Sequence, residues 1–296
     1  MSNFLLWLII TLVPTLIIIV VVSYMQSKHI LRPSGHRNPI NFFPDMYNLV
    51  YERVTFYTQD DVMIKGWFIP AEQETSKTIV LLHGWGGNKA NVLSNTHFLH
   101  KLGFNLFYFD FRGCGESSGS VSTIGYLETR DFKAALKFLK TYKNEKSKEI
   151  GVYSISMGAS VGVYESVTNK DIKCIVAEAA FESYESAIAR WAWVKRKIPY
   201  YPCVPLTLLF VRLKLKADPE AYSPIYHIDK LSPKPIFFIH GSHDDLVPPI
   251  DAKKLFKKAK EPKTWWLVPG ANHDKCAQVG GEDYRQKMSD FFKTNL

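Results

Sequence analysis

The sequence predicts an α/β fold: a mostly parallel central sheet covered by helices on both faces, with a membrane-spanning helix ahead of it and one long insertion inside it. Three observations carry this expectation. Apolar runs too dry to have a wet face, such as 77–83 and 104–111, alternate with segments of helical periodicity. Side chains able to do chemistry recur in loops just after such runs, namely Trp85, Ser156, Asp244 and His273. Residues 4–25 carry no charge at all.

The first segment is long enough to matter. Its 22 residues, as helix, span about 33 Å, enough to cross a bilayer core. A cleaved leader would need a basic start, a shorter apolar core and a small-residue cleavage site. Met1-Ser2-Asn3 has no basic side chain, so an uncleaved anchor over 1–27 is expected. Pro14 is tolerable in such a helix. Lys28, His29, Arg32 and Arg37 follow directly and place the folded domain on the cytoplasmic side by the positive-inside rule. Pro33, Pro39 and Pro44, with Gly35, argue for an extended linker over 28–50.

The domain itself is expected over 51–296, a normal length for one α/β unit. Residues 54–58 and 62–68 form a hairpin around Gln59-Asp60-Asp61. Buried strands follow at 77–83 and 104–111, with a helix over 91–102 between them. Apolar residues at three- and four-residue steps predict an amphipathic helix over 123–142. A strand then runs into Ser156, and a helix continues to about 167. Strands at 172–177, 235–240 and 264–268 and a closing helix from about 281 complete the pattern. Ligands of such sheets bind at the carboxyl ends of the strands.

Charge and cysteines narrow the partners. The net charge is +9, yet no nucleic-acid-binding motif accompanies it; an anionic membrane surface is the simpler counterpart. Cys114, Cys174, Cys203 and Cys276 show no metal-ligand or redox spacing and read as free thiols. No metal or cofactor is expected.

The segment 149–160 is the most informative. A buried strand enters Ser156-Met157-Gly158, which opens a helix. A serine on such a turn is pushed out of the sheet with a backbone N–H beside it. Gly158-Ala159-Ser160-Val161-Gly162 is a literal G-x-S-x-G, but Ser160 falls a turn inside the helix, where a serine usually bonds the preceding carbonyl. Ser156 is therefore the candidate nucleophile, with Ser154 in the place of the first small residue. A serine hydroxyl needs a histidine to take its proton and a carboxylate to orient that histidine. His273 follows a strand in a Gly/Asn-rich loop. The acid is one of two neighbours, Asp244 or Asp245. His83-Gly84-Trp85-Gly86-Gly87 follows another strand, and its glycines allow the backbone to approach a reacting group closely.

These motifs together resemble the α/β-hydrolases, and within them the membrane-anchored, serine-aminopeptidase and monoacylglycerol-lipase-like branch. The resemblance runs from about residue 51 to the C-terminus. It rests on 83–88, on Asp110-Phe111-Arg112-Gly113-Cys114-Gly115-Glu116-Ser117, on the Ser156 turn, on Gly241-Ser242-His243-Asp244 with Val247-Pro248, and on His273. It implies an α/β-hydrolase fold and a Ser156–Asp244–His273 triad, with the acid on Asp244. It also implies an oxyanion hole from the N–H groups of Met157 and Trp85, and a lid over about 182–227. Asp110 and Arg112 are expected to lock loops.

The insertion is unusual in composition. From 190 to 216 it holds seven basic residues and no acid, interleaved with Trp191, Trp193, Tyr200, Tyr201 and Phe210. Such a lid either shapes an acyl pocket facing lipid or forms a solvated cap. Three functions stay open. One is a membrane-anchored serine hydrolase of an ester, a lipophilic acyl ester or thioester among the candidates. Another is a serine peptidase of the same fold, and the third is a non-catalytic scaffold that binds lipid or a partner. The substrate and the oligomeric state are not encoded in any motif.

Overall fold

The structure, a computed structural model, describes residues 2–32 and 38–296. Pro33, Gly35 and Arg37 lie outside the described residues. Eight strands form one sheet: β1 (Glu52–Tyr57), β2 (Met63–Ile69), β3 (Lys77–Leu82), β4 (Asn105–Phe109), β5 (Glu149–Ile155), β6 (Ile172–Glu178), β7 (Ile236–Gly241) and β8 (Lys263–Val268). Their order is β1-β2-β4-β3-β5-β6-β7-β8. The β1–β2 and β2–β4 pairings are antiparallel and the rest parallel. β4 and β7 are buried at every position, as the apolar runs require.

Helices α2 (Lys89–Thr96), α3 (Glu128–Tyr142), α4 (Met157–Thr168), α7 (Pro249–Lys258) and α8 (Cys276–Asn295) cover the two faces. α5 (Tyr184–Arg196) and α6 (Cys203–Leu215), with short 3-10 turns up to Lys230, make up the insertion. α1 (Ser2–Leu31) precedes the domain.

Four helices differ most from the sequence expectation in where they start or end. α1 continues through Lys28–Leu31, so the segment expected as linker begins as helix. α2 starts earlier because the Asn88 side chain caps it, accepting from Ala90 and Asn91 N–H, and it relaxes to a 3-10 helix at His97. α3 starts only at Glu128, because Ile124 (φ 51°) and Gly125 (φ 117°) break the helix and the Glu128 carboxylate gathers Ser122, Thr123 and Gly125. α8 starts at Cys276 and bends at Gly281, whose φ of 52° is non-helical. α7, begun by Pro249, was not anticipated at all.

α1 divides into two parts. No residue from Phe4 to Val22 is buried, and the candidate span is long and apolar enough to cross a membrane. From Ser23 the helix lies on the domain: Ser23, Gln26, Ser27, Ile30 and Leu31 are buried, one stripe at helical spacing. It packs along α6. Ser23 Oγ donates to Cys203 O (3.2 Å), Thr207 Oγ1 to Ser23 O (3.4 Å), and the Tyr24 ring meets Phe210 edge-on at 5.5 Å. Lys214 bonds Ser27 Oγ and stands over the Tyr24 ring.

One buried acid on the helical face gives a pH-dependent stability. Burial pushes the Glu165 carboxyl on α4 up to about 7, with only Lys133 opposing it. The unfolded chain holds such a group at about 4.3. A raised folded value contributes stability below the unfolded value and loses it as pH rises through 7. The loss is on the order of 3 kcal/mol at most. Glu165→Gln is therefore expected to flatten the fall in Tm between pH 5 and pH 8, read by thermal melts of the detergent-solubilised protein. An unchanged slope would contradict this.

Candidate active site

The strand carboxyl ends place the site. Ser156 follows β5 and caps α4, and its backbone sits at φ 55°, ψ −116°. A non-glycine residue held there stores strain on the order of 1–3 kcal/mol, offset by surrounding bonds. Ser156 N–H donates to Glu178 O (2.9 Å) and its carbonyl accepts from Ala159 N–H (2.9 Å). The turn closes because Gly158 has no side chain: a Cβ there would stand 2.7 Å from Leu82 O. Ser154, buried beneath, donates to Val176 O at 2.7 Å. Ser160 is buried on α4, facing Gly125.

Ser156 Oγ lies 3.0 Å from His273 Nε2, and His273 Nδ1 lies 2.7 Å from Asp244 Oδ2. The loops that carry the acid and the histidine are pinned to each other. His243 N–H donates to Ala271 O (2.9 Å), Ser242 N–H to Val268 O (3.0 Å), and a Cβ on Gly241 would fall 2.3 Å from Ala271 O. Asp244 Oδ1 accepts from Leu246 N–H (3.0 Å) and Val247 N–H (2.8 Å). Burial raises the Asp244 carboxyl, but bonds from His240, His273 and the Val247 N–H outweigh it and hold it down at about 2. Asp245 is exposed, and only its carbonyl is engaged, by Arg190.

The loop after β3 lies against the serine. A Cβ on Gly84 would sit 3.4 Å from Ser156 Cβ. Gly87 N–H donates to Gly84 O, closing the turn that carries Trp85. Met157 N–H heads α4, before the helix's own bonding ladder begins. His83 shapes this loop: its Nδ1 faces Gly84 O at 2.8 Å and its Nε2 accepts from Phe111 N–H at 2.9 Å. Burial lowers its pKa and keeps it neutral. Asp110 and Arg112 are held in ion pairs of their own, Asp110 with buried Lys89 and Arg112 with buried Asp131 and exposed Asp60.

Two neighbours escaped the sequence reading. His240 has no exposed surface; its Nε2 stands 2.7 Å from Val247 O and 3.4 Å from Asp244 Oδ2. Glu178, at the end of β6, is fully buried and accepts from the hydroxyls of Tyr153 and Tyr284 at 2.8 Å each; burial holds its carboxyl above the usual range. The only signal for either was its place at the carboxyl end of a central strand.

A cavity of about 490 Å³ opens over Ser156 and His273. Ile124, Phe181, Ile188 and Val247 give it an apolar side, and Trp85 and Trp191 stand across it. Ile30 of α1 also lines it. The arrangement of a hydroxyl, a histidine and a carboxylate in hydrogen-bond sequence beside an apolar hollow suits acyl transfer. The four cysteines are all buried and unpaired. Among the described residues no cluster of metal-binding side chains occurs.

Known proteins share this architecture. The family model described as serine aminopeptidase, S33, matches residues 73–224. The solved structure of the Pyrococcus furiosus esterase Pf2001 superposes with a TM-score of 0.75 at 30% identity, covering 90% of this chain and 98% of that one. An uncharacterized protein of Bacillus subtilis, YqkD, is 28% identical over 230 residues, 77% of this chain and 74% of its own. An uncharacterized membrane protein of Saccharomyces cerevisiae, YNL320W, is 26% identical over 269 residues, 87% of this chain and 86% of its own.

Proposed function

Because the chain belongs to the serine aminopeptidase S33 family of α/β-hydrolases, and so is a hydrolase, we propose that it is a membrane-anchored serine esterase that cleaves lipophilic acyl esters through an acyl-Ser156 intermediate. The observation that carries this reading is the unbroken chain of contacts from Ser156 Oγ to His273 to Asp244. His273 Nε2 takes the Ser156 proton as Oγ attacks the ester carbonyl. The N–H groups of Met157 and Trp85 hold the resulting oxyanion. His273 then gives its proton to the departing alcohol, and the acyl-serine remains. Water, deprotonated by the same histidine, releases the acid and restores Ser156.

The membrane supports a lipophilic substrate. The uncovered stretch of α1, Phe4 to Val22, is about 28 Å long as helix, close to the thickness of a bilayer's hydrocarbon. The domain covers α1 from Ser23 onward, so it sits on the membrane without a free tether, on the cytoplasmic side by the charges that follow. Tyr200, Tyr201, Leu209 and Leu213 are exposed on the lid, whose helix α6 packs along the covered turns of α1, and exposed aromatic and apolar side chains of this kind suit a membrane interface. A scaffold without chemistry has no need of the strained Ser156 backbone or of the bonded histidine.

The peptidase reading has one feature in its favour besides the family description: Asp274 lines the cavity and offers a carboxylate to an N-terminal ammonium. A substrate screen separates the two. The full-length protein in nanodiscs is expected to turn over acyl esters with kcat/KM rising with chain length, and to leave aminoacyl amides almost untouched. Faster cleavage of the amides would overturn the esterase reading.

A further inference from the structure

Beside the catalytic cavity lies a second, wide-open cavity of about 760 Å³ on the surface, and the two share Asn38, Trp85, Gly86 and Trp191. Among the described residues, the rest of its wall is His29, Lys195 and Arg196, and no carboxylate lines it. Lid ion pairs form elsewhere, Arg212 with Asp218 and Lys254 with Glu182; among the described residues Lys195 and Arg196 join none. Trp191 organises the wall, with the His29 ring stacked on it at 4.9 Å and the Arg196 guanidinium over it at 5.5 Å.

Four parts of the chain build this hollow: the end of α1, Asn38 beyond it, the loop after β3 and α5. Position adds a second argument. His29 lies six residues beyond Ser23, the first covered residue of α1. That is about 9 Å along the helix, at the outer edge of the headgroup layer if the uncovered stretch fills the hydrocarbon. The catalytic cavity offers its apolar side to an acyl chain, so the basic side is left for the other end of the ester. Unpaired guanidinium and ammonium groups beside an aromatic plane match a phosphate.

We propose that the second cavity is an anion subsite in which Lys195 and Arg196, framed by His29 and Trp191, hold a phosphate on the leaving-group side of an acyl ester whose chain lies in the catalytic cavity. The proposal rests on the esterase reading. It makes the preferred substrate a phosphate-bearing acyl ester, and it gives the anchor helix a share in specificity.

The test uses full-length protein in nanodiscs of neutral lipid, with 1-acylglycerol 3-phosphate and 1-acylglycerol of the same chain length as substrates. kcat/KM is expected to favour the phosphate ester by about tenfold or more, chiefly through KM. K195Q/R196Q should bring the ratio close to one, and K195R should keep it. Lys253→Gln, an exposed charge on α7, should also keep it, which separates the subsite from general surface charge. Competitive inhibition by soluble glycerol 3-phosphate would assign the site to phosphate esters at large. A preference seen without such inhibition would assign it to lipid headgroups. Equal kcat/KM for the two esters, or a ratio unmoved in K195Q/R196Q, would overturn the proposal. If neither ester is hydrolysed and Ser156 resists fluorophosphonate, the esterase reading has failed instead. Tryptophan fluorescence then still decides the subsite: the phosphate ester should bind wild type about tenfold more tightly than K195Q/R196Q, and equal binding would overturn it.

Discussion

Ser156→Ala is expected to lower kcat for an acyl ester about 10⁶-fold, because the base, the carboxylate and the backbone donors have no nucleophile left to serve. Ser160→Ala is expected to stay within about threefold of wild type, as an ordinary change remote from the chemistry. The two serines lie on the same short segment, and a literal pattern search selects Ser160. Backbone conformation separates them. Ser156 is held at φ 55° at the mouth of the cavity, while Ser160 is buried a turn inside α4. Gly158 is what permits the difference, since any side chain there would strike the β3 carbonyls. Steady-state turnover of both variants checks this, and the opposite ranking would move the nucleophile to Ser160.

Asp244→Asn is expected to lower kcat about 10⁴-fold. The asparagine oxygen can still accept from Leu246 and Val247 N–H, so the loop survives. An amide group facing His273 Nδ1 favours the wrong tautomer and gives no charge to stabilise the imidazolium. Asp245→Asn should change kcat less than about threefold, because the Asp245 side chain is exposed and only its carbonyl is used. Parallel kinetics on the two variants decide between neighbouring acids that the sequence left open. A large loss in the Asp245 variant with a small one in the Asp244 variant would exchange their roles.

The sheet was legible because parallel strands buried on both faces leave continuous apolar runs, and each chemical motif followed one. That pattern put Ser156, Asp244 and His273 at one edge, where the structure brings them within hydrogen-bond distance. Helix starts were harder to read. Periodicity carried the expected α3 back to 123, but the positive φ of Ile124 and Gly125 ends any helix there. The largest omission was the docking of α1. Its covered face holds Ser23, Gln26 and Ser27 ahead of Ile30 and Leu31, so polar residues mark where the contact begins in an otherwise apolar helix. The partner, α6, lies about 180 residues away in sequence, beyond the reach of any local pattern. His29 and Ile30 of α1 and Trp191 and Arg196 of α5 therefore entered the site only once α1 was seen docked on the insertion.

On the proposed mechanism every ester passes through a covalent acyl-Ser156. Rapid acid quench of the full-length protein during turnover of an activated acyl ester, followed by proteolysis and mass spectrometry, measures this directly. The peptide containing Ser156 is expected to gain the mass of the acyl group during a burst of alcohol release. The adduct should accumulate in the His273→Ala variant only at a small fraction of the wild-type rate. Turnover without an adduct, or with the acyl group on any other residue, would contradict the mechanism.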